Sequence, residues 1–148
     1  MYTQSLINYT SIQKQLDCFY QIISGRAGEK RNWEEFKQIF IPGALLSSAA
    51  TKSNENSKSV IWNVDSYIQH LSLFLSANDF FERGYDYKIE STTNIAHVFS
   101  KYEARKTKDD SEILKRGINY IRLVKHEEVW KIVSMIWEDK NEKPKSFS

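Results

Sequence analysis

Three stretches decide the fold: NIAHVFSKYE from Asn94 to Glu103, RGINYIRL from Arg116 to Leu123, and WKIVSMIW from Trp130 to Trp137. Each alternates with the two-residue period of a strand, in which neighbouring side chains point to opposite faces. Working outward, long strands are expected over Phe80 to Thr93 and Ile95 to Lys106, joined near Asn94. Two more are expected over Arg116 to Val124 and Val129 to Glu138, with a polar turn at Lys108 to Glu112 and a tight hairpin at Lys125 to Glu128. In the final strand Trp130, Ile132, Ser134 and Ile136 fall on one face and Lys131, Val133, Met135 and Trp137 on the other. Both faces are largely apolar, whereas a sheet covered on one side only shows a polar outer face. A second copy of the chain is the simplest cover.

The N-terminal half has the helical period instead. Ile12, Leu16, Phe19, Tyr20 and Ile23 mark one face of a first helix, which Gly25 and Gly28 stop. Asn32 can cap a second helix with Trp33, Phe36 and Phe40 on its apolar side, ended by Pro42-Gly43. Short strands are expected over Ala44 to Ala49 and Ser59 to Val64, the second holding Trp62, with a polar loop from Thr51 to Ser59 between them. Asp65 is expected to cap a third helix that buries Ile68, Leu71, Phe74 and Leu75. Helices first and strands last imply an α+β fold, with about three N-terminal helices on one face of an antiparallel sheet. The charged tail from Asp139 to Ser148 is expected to fray.

The 148 residues fit one domain. The 21 basic and 19 acidic residues are interspersed, so no basic stripe for nucleic acid emerges. The single cysteine, Cys18, permits no intrachain disulfide and reads as an inert thiol beside Phe19. No apolar run is long enough to span a membrane, and Met1 to Tyr9 lack the pattern of a secretory signal. A cytoplasmic protein is expected. His70, His97 and His126 fall on different elements, so no metal site is expected, and no phosphate loop or cofactor fingerprint occurs.

The order of elements and the three C-terminal stretches resemble the nuclear transport factor 2-like superfamily, and its SnoaL-like branch in particular, over residues 12 to 139. The resemblance implies a cone-shaped fold on a strongly curved sheet, with a pocket between the helices and the concave face. Matching the last hairpin to the ketosteroid isomerase relatives puts Arg116, Ile118, Tyr120 and Arg122 in that pocket, with Val133, Met135 and Trp137. On the preceding strand it adds Ile95, His97, Phe99, Lys101 and Glu103. Phe19, Tyr20 and Trp62 complete the expected ligand-binding residues. Ala96, Val98, Ile121, Leu123, Ile132 and Ile136 then fall on the convex face, which dimeric relatives use for pairing.

An imidazole such as His97 can act as a base near neutral pH. Arg116 can hold an oxyanion or pair with Glu103, and the Tyr120 hydroxyl can donate to a developing oxyanion. The isomerase machinery is not carried over: its aspartate base falls near Ser48, its oxyanion-hole acid matches Tyr120, and its helix tyrosine matches Phe19 or Tyr20. A dehydratase-like pairing would join Asp17 to His97. Three readings stay open. One is a homodimeric small-molecule-binding domain. Another is a cofactor-free isomerase, dehydratase or cyclase with His97, Arg116 and Tyr120 as catalytic residues. The third is a protein-interaction module.

Overall fold

The computed structural model describes residues 4–49, 58–109 and 112–140; positions 51–57 of the expected polar loop, positions 110–111 of the polar turn, and positions 141–148 of the expected tail lie outside them, while Asp139 and Lys140 of that tail belong to the last strand. Chain order among the described residues is α1 (Gln4–Ile23), α2 (Trp33–Gln38), β1 (Phe40–Ser48), β2 (Val60–Asn63), α3 (Val64–Ala77), β3 (Phe81–Ser91), β4 (Ile95–Arg105), β5 (Lys115–His126) and β6 (Val129–Lys140). The six strands form one curved sheet in the order β2-β1-β6-β5-β4-β3. Neighbours run antiparallel except β1 and β6, which are parallel. The helices cover the concave face, giving the expected α+β cone.

The α1 face forms as its spacing predicts, with Ile12, Leu16, Phe19, Tyr20 and Ile23 at most 3% exposed. Asn32 caps α2 by accepting from the Glu35 amide at 3.0 Å. That helix ends at Gln38 rather than Pro42-Gly43, and Phe40 opens β1. Pro42 and Gly43 instead sit where the β1–β6 register jumps between Phe40 and Leu45. Gly43 takes φ +90°, a left-handed conformation that suits a residue without Cβ. Phe36 is fully buried and anchors α2, while Trp33 is half-buried against it. Asn63 rather than Asp65 caps α3, accepting from the Ser66 amide at 2.8 Å. This helix buries Tyr67, Leu71 and Leu75, and leaves Phe74 44% exposed.

The facing of β4 and β5 is the reverse of the expectation. Ala96, Val98, Ile121 and Leu123 are at most 5% exposed and belong to the core beneath the helices. Tyr20 of α1 fixes the assignment. Its hydroxyl lies 2.7 Å from Ser100 Oγ and accepts from Asn119 Nδ2 at 2.7 Å, so Ser100 and Asn119 face the helix. By alternation His97, Phe99, Lys101 and Glu103 of β4, and Arg116, Ile118, Tyr120 and Arg122 of β5, lie on the convex face.

Two bulges change the alternation. Between Gly84 and Asp86, β3 carries Tyr85 as an extra residue against β4. On β6 the extra residue is Val133, because Arg122 pairs with Ser134 while Leu123 pairs with Ile132. Trp130 and Ile132 before this bulge, and Met135, Trp137 and Asp139 after it, therefore share the concave face. Ser134, Ile136 and Glu138 turn outward. Of the six residues expected on the convex face, only Ile136 is there.

This facing predicts opposite outcomes at adjacent positions. Ile121→Glu buries a carboxylate in the core and should abolish cooperative thermal unfolding. Tyr120→Glu, on the 52%-exposed side, should leave a folded protein by circular dichroism.

Candidate functional site

The helices and the concave face enclose a cavity of about 290 Å³. Phe19 and Ile23 of α1, and Met135 and Leu71, form apolar wall. At one side three rings stack, His70 on Trp62 with centroids 4.8 Å apart and Trp62 on Trp137 at 5.8 Å, the last pair inclined by only 2°. These distances lie in the range of favourable offset stacking. Tyr67 meets Trp62 and Trp137 edge-on at 5.5 and 5.4 Å.

The opposite side is polar, and a glycine builds it. Tyr102, Gly117 and Asp139 stand side by side in register on β4, β5 and β6. A Cβ on Gly117 would overlap the Tyr102 phenol and come within 2.6 Å of the Glu138 carbonyl oxygen. With only hydrogen there, the Tyr102 ring crosses β5 and its hydroxyl donates to Asp139 Oδ1 at 2.6 Å. Lys115 Nζ stands 3.8 Å from the same oxygen and 5.6 Å from the Phe80 ring centre. Glu82 of β3 completes this side. Its backbone is tied to Ser24, whose hydroxyl accepts from the Glu82 amide at 2.9 Å and donates to the Glu82 carbonyl at 3.1 Å.

Burial pushes the Glu82 carboxyl up to about 7; Lys115 partly offsets the shift and Asp139 reinforces it. Burial, the hydrogen bond to Asp139 and that residue's charge push the Tyr102 hydroxyl well above the usual phenol range, so it stays a donor. The cavity thus combines a carboxyl able to exchange protons near neutral pH, a fixed phenol–carboxylate pair, a lysine and flat aromatic walls.

The expected site residues divide between two faces. Phe19, Trp62, Met135 and Trp137 line the cavity. Tyr20 is buried behind it, held by Ser100 and Asn119. His97, Arg116, Tyr120, Phe99, Glu103 and Ile118 do not reach it, because they point from the convex face; Val133 is the bulge residue and is 39% exposed. His97 lies 3.2 Å from Glu90, and Asp17 accepts instead from Tyr87 at 2.7 Å, so the Asp17–His97 pairing does not form. Glu103 faces Arg116 in register, but its carboxylate is taken by Arg83 at 2.9 Å and by Arg105. On that face His97, Phe99, Tyr120, Arg122 and Ile136 border a separate hollow of about 440 Å³.

The sequence reading missed Glu82, Tyr102, Lys115, Asn119, Asp139 and His70. One signal could have found the strand residues. The phase holding Ala96, Val98, Ile121 and Leu123 is apolar, and the opposite one carries Lys101, Glu103, Arg116 and Arg122. Hydrophobicity therefore assigned the helix-facing phase, and with it Tyr102 and Asn119, against the alignment of the final hairpin.

No family model matches this chain, and no curated protein matches it in sequence. Solved structures do match in shape. A protein of unknown function with a cystatin-like fold from Nostoc punctiforme superposes with a TM-score of 0.72 at 12% identity, over 93% of this chain and 95% of its own. A nuclear transport factor 2-like protein of unknown function from Shewanella baltica gives 0.63 at 17% identity, over 95% and 100%. A proposed scytalone dehydratase from Novosphingobium aromaticivorans gives 0.70 at 14% identity, over 93% and 87%. Element order, sheet topology and these likenesses together show that the chain has the nuclear transport factor 2-like fold.

Proposed function

We propose that this chain is a small-molecule-binding domain whose site is the concave cavity. The cavity itself carries the reading: an apolar, aromatic-walled space under the helices that converges on a few polar groups, the usual make-up of a ligand site. Its volume of about 290 Å³ favours a compact ligand.

Glu82 supports a second reading, a cofactor-free enzyme that moves a proton beside a carbonyl. A carboxyl that titrates near 7 can serve as base at neutral pH, and Tyr102 can donate a hydrogen bond nearby. In this reading the acid–base group is Glu82, and the convex-face His97, Arg116 and Tyr120 are not in contact with the substrate. Carbon-13 NMR of the labelled side chain should show Glu82 titrating near pH 7, not with the exposed glutamates. The same shift sets the sign of a stability effect. A folded-state pKa above the unfolded value makes the folded state bind more protons, so this group's contribution to stability falls as pH rises from about 4.5 through about 7. Glu82→Gln should therefore raise the melting temperature at pH 8 and change it little at pH 4. An equal effect at both values would mean that Glu82 is not perturbed.

The convex face supports the homodimer, through other residues than alternation alone indicated. Ile61, Ile136, Tyr120 and Phe99 lie in one row across the sheet, and Ile61, Ile136 and Tyr120 are 66%, 46% and 52% exposed. Leu45 and Ile95 add exposed apolar surface beside it. An obligate pairing buries roughly 2,000 Å² or more. Sedimentation at micromolar concentration should give twice the 17.4 kDa chain mass, and Tyr120→Glu should give the monomer without unfolding it. A wild-type monomer would rule the pairing out.

A further inference from the structure

The cavity's charged groups point to a ligand class, an inference that rests on the binding reading above. Glu82 and Asp139 supply two carboxylates, and Lys115 is the one lysine or arginine on the wall among the described residues. Lys115 is already committed, standing 3.8 Å from Asp139 and over the Phe80 ring. Asp139 also accepts from Tyr102. Glu82 differs: among the described residues no protein donor or cation pairs with its carboxylate, although its backbone is fixed at both ends by Ser24. Partial withdrawal from water without a partner disfavours its charged form, and a donor or a cation brought beside it would restore that form. An anionic ligand would place a third negative charge among these groups.

We propose that the cavity binds a compact organic cation, a protonated amine on a small ring or short apolar body, with its ammonium group at Glu82 and its apolar body against Trp62 and Trp137. The groups that bear on Glu82 are Lys115 of β5, Asp139 of β6, Tyr102 of β4, Tyr20 of α1 and Tyr67 of α3, with His70 at the mouth. The three tyrosines stay protonated, so none of them changes charge when the ligand binds. An ammonium beside it favours the carboxylate, and binding at pH 7 should release about half a proton per ligand, since the free group titrates at about 7.

The test compares three probes of similar shape with the full chain: phenethylamine, 2-phenylethanol and phenylacetate. Calorimetry at pH 7 should rank the amine roughly 10-fold or more above the alcohol, and phenylacetate last. Amine binding should release about half a proton across buffers of different ionisation enthalpy. Glu82→Gln should remove that release and most of the amine's advantage, while alcohol affinity changes less than about 2-fold. Magnetisation transfer between probe and the Trp62 indole, which borders the concave cavity and not the convex hollow, locates the bound molecule. If the alcohol or phenylacetate contacts Trp62 and binds as tightly as the amine, the cation inference fails and the binding site stands. If the amine keeps its advantage in Glu82→Gln, the role of Glu82 fails in the same way. If no probe contacts Trp62 at millimolar concentration, the site and the inference fall together.

Discussion

One extra residue, Val133, sets the orientation of everything that follows it in the last strand. Were Val133 in regular register rather than bulged, strict alternation would put Trp130 and Ile132 under the helices and send Met135, Trp137 and Asp139 to the opposite face. The bulge inverts the alternation midway, so all five face inward. Met135 then closes the core at 1% exposure, Trp137 stacks on Trp62, and Asp139 comes level with Gly117 and Tyr102. Bulges also bend the strand that carries them, and those at Val133 and Tyr85 lie in a sheet that curves around α1. Floor, ring wall and polar side of the cavity depend on this shift.

The polar side illustrates how a small residue positions chemistry. Gly117 leaves room for the Tyr102 ring to span β5, and this contact fixes Asp139 as an acceptor. Tyr20 plays the corresponding part at the base of the cone, where its hydroxyl joins Ser100 and Asn119 in a buried network that satisfies polar groups of α1, β4 and β5 together. Both tyrosines are structural fasteners whose burial keeps them protonated. Glu82 is different, because its carboxyl is half-buried without being fastened, and that asymmetry gives the cavity its chemical character.

Much of the fold was legible in the sequence, because periodicity is a local property. The α1 face, the four long strands, the α2 cap and the overall α+β order follow from it. The helix over Trp33 to Phe40 was drawn too long because Pro42-Gly43, read as a stop, is an irregularity inside β1 with Gly43 in a left-handed conformation. The site was half legible. Phe19, Trp62, Met135 and Trp137 were expected in the pocket and line it, while His97, Phe99, Tyr120 and Arg116 were carried to the wrong face. Facing is a global property: a bulge leaves no mark in composition, and an alignment anchored on β6 passes its inverted alternation to β5 and β4. Hydrophobicity on β4 and β5 held the contrary information, since Val98, Ile121 and Leu123 are core residues by type. Glu82 could not be singled out, because the charges that act on it lie 33 and 57 positions away at Lys115 and Asp139, brought near only by the folded sheet.

The central claim is that ligands enter under the helices and leave the convex face free. A crystal soaked with a library of compact ring compounds tests it most directly. Ordered density should lie between Trp137 and Glu82, with the ring of the bound molecule against Trp62 or Trp137. Density confined to the hollow bordered by His97, Phe99 and Tyr120, with the concave cavity empty, would contradict the account.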